Sequence, residues 1–312
     1  MMLSIRRDAG QAMIARHLCA AALTLVVLFL MWPAFKAVAN LGLREDSYVE
    51  ILAAPFLALF LMYWERDRIF REVRWNPRFA IPVLSVVLAA YFVLLRQQPY
   101  SNGSTRLMLA AFALILAWMA VFIFCYGLQS FKMAWFPLCC LLLMIPVPPA
   151  LIAELTTDLQ RGSAATSYQI LRLFGVPVLS EGTKFALPGL EIEVAPECSG
   201  IHSCLSLVLV GLLTARLFLR YGWTRLAVVA STVPIAIFKN AIRISVIATL
   251  GAYVNRAFLF GRIHRYGGLV FTPFAVVLLV LLLLALQKSE TWIVARLRSR
   301  PLVPERTPTA AV

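Results

Sequence analysis

The sequence predicts an all-α polytopic membrane protein of about eight transmembrane helices, with a periplasmic amphipathic helix and a small β-hairpin before the sixth span. Three observations carry that expectation. The 312 residues are 61% hydrophobic and 14% charged, against roughly 45–50% and about 25% in soluble domains, and a core of single-domain size could not hide the surplus. Stretches free of Lys, Arg, Asp and Glu recur at lengths that cross a bilayer. The cations, finally, divide by membrane side.

The charge-free stretches are 17–35, 51–64, 79–95, 107–131, 133–153, 198–215 and 266–287, most of them matching the roughly 17–25 residues of a spanning helix. The run 51–64 borrows Tyr48 and Val49 to reach across. An eighth segment, 226–252, is equally apolar except for Lys239 and Arg243. For the first run a cleaved signal peptide competes, because Arg6, Arg7 and Arg16 precede it and Ala37-Val38-Ala39 resembles a cleavage site; the apolar run is long for that.

With the N-terminus placed in the cytoplasm, alternate loops put 17 Lys and Arg on the cytoplasmic side and 10 outside, the two intramembrane cations completing the 29. Nine of the 15 acidic residues fall outside. Both termini are therefore cytoplasmic, and the net charge of +14 reports topology rather than a nucleic-acid surface, which would gather its cations along one face.

The long connection 150–197 lies outside, after Pro146, Pro148 and Pro149 end the fifth span. Leu151, Leu155 and Leu159, then Tyr168, Leu171 and Phe174, are spaced as on an amphipathic helix at the membrane surface or packed on a neighbour. Leu190, Ile192 and Val194 then alternate with Glu191 and Glu193, and Pro188-Gly189 supplies a turn after 183–187, which reads as a hairpin with both carboxylates on its solvated face. Residues 1–290 are expected to form one transmembrane domain, and 291–312 a cytoplasmic tail.

Cys19, Cys125, Cys139 and Cys140 sit in apolar runs, where a thiol is a small hydrophobe. Cys198 differs, since it opens the sixth span at its outer end. A helix N-terminus carries about half a positive charge and free N–H donors, which favour a thiolate. Arg243 lies seven to nine residues from the outer end of its span, about 10–14 Å at 1.5 Å per residue, and an intramembrane cation marks a functional site by default. Asn240 shares its face at a spacing of three. His264 falls in the next outer loop, between Arg262 and Arg265.

Charge counting alone thus brings Cys198, Arg243 and His264 to one membrane side. Such a set suits thiol acyl transfer: a thiolate attacks a carbonyl, a histidine protonates the leaving amine, and an arginine stabilises the oxyanion or positions the substrate. His202, four residues after Cys198, competes for the histidine role. A zinc site of Cys198, His202 and His264 lacks metal-ligand spacing, and no nucleotide-binding glycine motif is present, so neither metal nor cofactor is expected. Two other classes compete with the enzyme: a transporter or flippase for envelope polysaccharide or lipid precursors, with Lys239 and Arg243 on an anionic head group, and a structural subunit of an envelope assembly.

Glu197-Cys198-Ser199-Gly200-Ile201, Asn240-Ala241-Ile242-Arg243 and His264, in that order and spacing, resemble the three motifs of the exosortase/archaeosortase family of polytopic membrane transpeptidases. The resemblance covers residues 180–275 and, by hydropathy, the preceding spans. It implies Cys198 as nucleophile, Arg243 as the essential arginine and His264 as the third member, with Ser199, Gly200, Asn240 and His202 in support. Histidine at position 264 points to the bacterial branch. The family recognises exported proteins bearing a C-terminal sorting signal, namely a short motif such as Pro-Glu-Pro, a transmembrane helix and a basic cluster. It cleaves the signal and passes the protein to a surface acceptor. Membrane lipid surrounds the enzyme and supplies the path of approach; no nucleic-acid partner is implied. His202 stands where arginine or glutamine is expected, so the signal variant is not fixed.

Overall fold

Residues 2–45, 48, 50–95, 105–195, 199–259 and 262–298 are described by the structure, a computed structural model. The chain divides into two compact units, Met1–Leu155 and Thr156–Val312.

In the first unit α1 (Met2–Leu30) ends where Pro33 sits at the start of α2 (Trp32–Arg44), a position that tolerates a missing N–H. α3 (Glu50–Trp64) and the single turn α4 (Arg66–Ile69) lead to α5 (Pro77–Leu95) and α6 (Thr105–Met133). Half of α6 is buried, far more than of α1 or α5, so α6 is the axis of the unit. It bends at Gly127, whose φ of +86° only glycine adopts freely. A short α7 (Trp135–Cys140) and a 3₁₀ turn over Leu141–Met144 follow.

α8 (Pro149–Leu173) runs into the second unit. Beyond it β1 (Leu179–Glu181), β2 (Lys184–Leu187) and β3 (Leu190–Glu193) form an antiparallel sheet in that order, with Phe185 opposite Ile192 and Ala186 opposite Glu191. Three helices complete the unit: α9 (Ile201–Phe218), α10 (Gly222–Tyr253) and α11 (Arg262–Arg298). α9 and α10 meet closely at Gly211, where a Cβ would stand 2.6 Å from Thr232 Cγ2. The Gly222 end of α10 is closed by Glu290 of α11, 5% exposed, whose carboxylate accepts the backbone N–H groups of Arg220 and Tyr221 and the Thr224 hydroxyl. This supplies acceptors to the unpaired donors at a helix start.

Six helices among the described residues are long and apolar enough to cross a membrane, or seven if the bent pair 135–144 and 149–173 counts as one. The expected count of eight exceeds this at two places. α3 has 15 residues, about 23 Å of helix, and the run 133–153 is interrupted by a bend of 95°, because three prolines within four positions deny it a continuous ladder.

Two further expectations change. The buried stripe of α8 is Leu159, Ser163, Ser167 and Leu171, a small-residue face at four-residue spacing, while Leu151, Leu155 and Phe174 stay exposed. The serines allow close approach of a neighbouring backbone. His264, expected in a loop, belongs to the first turn of α11 by its backbone.

Candidate active site

The sheet packs on α8 and α10 through one cluster: Phe185, Leu187 and Val194 from the strands, Ala164 from α8, and Ile244 and Ala248 from α10. Phe185 and Leu187, two apart on β2, point inward together. Val194 is fixed on both backbone groups: its N–H donates to Thr183 O at 2.9 Å, and its carbonyl accepts from the Gln160 side chain. The chain is therefore anchored as it leaves the sheet.

The turn into α9 at Ser199–Gly200 is held by α10. Gly200 caps α9 in the left-handed region, φ +81° and ψ 16°. A Cβ there would meet Asn240 Cγ at 3.2 Å and Oδ1 at 3.4 Å, so backbone conformation and neighbour both demand glycine. Asn240 is fully buried, and its Nδ2 donates to Ser163 Oγ at 3.1 Å. Ser167 Oγ reaches Ser163 O at 2.7 Å and Ala241 O at 3.2 Å, while Ser245 Oγ donates to Ser167 O at 3.4 Å. α8 and α10 are thus laced by hydroxyls.

Ser199 is buried, its Oγ accepting the Ile201 N–H at 3.4 Å. Ser203 Oγ donates to Gly200 O at 2.9 Å and accepts from Lys239 Nζ at 2.7 Å. Lys239 and Asn240 therefore grip the turn from two sides, one through Ser203 and one by packing.

Arg243 follows Lys239 by one helical turn and is half-buried. It lines a cavity of about 450 Å³ with Glu191, Glu193 and Ala195 from the sheet and its exit, and with Arg256. Arg256 Nη2 also donates to Gly189 O at 2.6 Å, pinning the β2–β3 turn over that cavity. Both carboxylates are exposed, as expected of a solvated strand face, yet they rim the space into which Arg243 faces. His202 is exposed and lines a different cavity, of about 260 Å³, with Ser203 and Lys239.

Of the expected site residues, Ser199, Gly200 and Asn240 come together, and Arg243 stands one turn from them on α10. His202 is separated from Arg243 by lining another space. Cys198, with Pro196 and Glu197, lies outside the described residues, as does the side chain of His264. Among the described residues no three His, Cys, Asp or Glu side chains gather as a metal site would require. A larger cavity, about 860 Å³, lies in the first unit; its wall is mostly apolar, with His17, Thr24, Tyr63, Arg66, Asp67 and Tyr126 among its polar side chains.

Ser163, Ser167, Ser203 and Gln160 are absent from the sequence expectation. A readable signal exists for the first two, the small-residue spacing of four on α8. Ser203 has none, because its meaning depends on which helix passes beside it.

Helix lengths set the level of this assembly. α9, at 18 residues, is about 27 Å long, close to a hydrocarbon core, whereas the 32 residues of α10 make about 48 Å. α10 is thus about 21 Å longer than α9, and by helical rise Lys239 and Asn240 stand about level with Gly200.

A family model described as transmembrane exosortase (Exosortase_EpsH) matches residues 41–283. The chain belongs to the transmembrane exosortase family. No curated protein and no solved structure matches the chain. The match to this exosortase spans most of the first unit and the described site residues of the second, including Gly200, Asn240 and Arg243.

Proposed function

We propose that this exosortase is a cysteine protease-transpeptidase of the bacterial inner membrane that cleaves the C-terminal sorting signal of exported proteins through a thioacyl intermediate. The observation that carries the reading is the double grip on the turn following Cys198. Asn240 and Lys239 of α10 hold Gly200 from either side, and the same helix presents Arg243 one turn onward into the cavity reached by Ala195. A nucleophile needs such a fixed mount, and the oxyanion it creates needs a fixed cation.

In the proposed reaction the Cys198 thiolate attacks the scissile carbonyl, and Arg243 stabilises the developing oxyanion. The C–N bond then breaks, His264 giving a proton to the leaving amine of the tail. A nucleophile of the surface acceptor, losing its proton to His264, attacks the thioester and the thiolate leaves, restoring the enzyme. His264 is preferred to His202 because His202 faces the Lys239 cavity rather than the one lined by Arg243.

Topology follows from the cations. The segment 66–78 carries Arg66, Arg68, Arg71, Arg74 and Arg78, which the positive-inside rule keeps cytoplasmic. That requires α3 to cross despite its length, with local thinning or flanking residues making up the mismatch. Eight crossings, both termini in the cytoplasm and a periplasmic Gly200 turn are then consistent.

The test is processing of an epitope-tagged protein bearing a motif, helix and basic cluster. Loss of cleavage in both Cys198→Ala and Arg243→Ala is expected. An envelope polymer that depends on Arg243 but not on Cys198, without cleavage, would instead support the transporter.

A further inference from the structure

The reaction proposed above leaves Lys239 without a part beyond holding the turn. Its side chain is 2% exposed in the middle of α10. An ammonium carries three N–H donors and no acceptor, and Ser203 Oγ takes one of them. The cavity it lines is bounded by His202, Ser203 and Ser206 of α9 and by Thr272 of α11. His202 and Ser206, four apart on one face of α9, are both exposed. The cavity therefore opens along the flank of α9, where a membrane-spanning helix has lipid for a neighbour. An ammonium and an imidazole on the flank of an apolar helix are costly unless they serve a ligand.

The geometry of a helical substrate says what that ligand is. A transmembrane tail lying beside α9 presents its peptide carbonyls bonded to the next turn and wrapped in side chains. To bring a bond near its first turn to the Gly200 end of α9, that turn must open. Opening releases carbonyl and N–H groups that lipid cannot satisfy. Lys239 lies one short turn below Gly200 through Ser203, at the level where those groups would emerge. Its remaining donors suit freed carbonyls, which solvate cations well. The hydroxyls of Ser206 and Thr272 both donate and accept, so they serve freed N–H groups as well.

We propose that the Lys239 cavity is a binding subsite for the unwound first turn of the substrate's transmembrane helix, with Lys239, Ser206 and Thr272 replacing the hydrogen bonds that the helix gives up. The proposal rests on the transpeptidase reading. It assigns Lys239 a substrate contact in addition to its hold on Ser203.

The full-length protein is reconstituted in phospholipid vesicles with two tagged substrates. Both carry a Pro-Glu-Pro motif, a leucine-rich helix of about 20 residues and a basic cluster; in the second a Gly-Pro pair one turn into the helix removes a hydrogen bond that closes the first turn and clashes with the carbonyl there. Lys239→Met, which also loosens the Gly200 turn for both tails, is expected to slow cleavage of the intact tail on the order of tenfold more than that of the pre-broken tail, since only the intact tail must leave its own bonds unmade. Ser206→Ala, which leaves the Lys239–Ser203 bond in place, is expected to show the same ordering with a smaller effect, and it decides the matter if Lys239→Met does not fold. Equal slowing of the two tails, or slowing of neither, overturns the proposal. Failure of the unaltered protein to cleave either tail sinks the transpeptidase reading instead.

Discussion

Gly200→Ala isolates the mount from the chemistry. The perturbation adds one methyl group, and two costs follow from the structure. At φ +81° an L-residue is in the left-handed region, at about 1–2 kcal/mol. The new Cβ also stands 3.2 Å from Asn240 Cγ, so Asn240 must yield by a few tenths of an ångström while bonded to Ser163, adding about 1 kcal/mol of overpacking. The sum is about 2–3 kcal/mol, or roughly 30- to 150-fold in rate if the turn bears it in the transition state. Cleavage of a tagged tail is followed in vesicles, with the thermal midpoint of the purified protein measured in parallel. Asn240→Ala in the Gly200→Ala background should recover the packing share and not the backbone share. Unchanged cleavage and an unchanged midpoint in Gly200→Ala would refute the argument that α10 fixes this turn.

Two predictions address the frame around the site. Gly211→Ala should lower the thermal midpoint, with about 1–3 kcal/mol lost to overpacking against Thr232 Cγ2, and Thr232→Ser, which removes that methyl, should restore most of it. Glu290→Gln should cost about 1–3 kcal/mol, because the amide replaces a carboxylate that accepts the Arg220 and Tyr221 N–H groups and the Thr224 hydroxyl at the start of α10; hydrogen exchange over residues 219–226 is the direct measurement, and unchanged protection there would refute the role.

Much of this was legible before any coordinates. The spans of α1, α5, α6, α9, α10 and α11 follow from apolar length, since a charge-free run of bilayer width has few other folds open to it. Gly200, Asn240 and Arg243 were legible as motif residues because their identities are tied to a backbone conformation, a packing contact and a charge. The breaks were harder. Three prolines predict an end to a helix but not the 95° bend, and nothing in 48–64 says that its α-helix is the 15 residues Glu50–Trp64. Leu159 and Leu171 of the apolar stripe of α8 are buried as spaced, but Ser163 and Ser167 between them are not legible from apolar spacing, because close packing in membranes favours small residues. Lys239 was placed on its helix correctly, but its partner Ser203 is 36 residues away, and no local pattern announces a tertiary hydrogen bond.

The central claim is a thioacyl bond at Cys198. The measurement that tests it most directly is mass spectrometry of the full-length protein incubated with a tagged tail in the absence of acceptor. The account predicts a conjugate of protein and upstream substrate at Cys198, released by hydroxylamine as a thioester is, and absent from Cys198→Ala. Cleavage of the tail by Cys198→Ala, or a conjugate at any other residue, would contradict it.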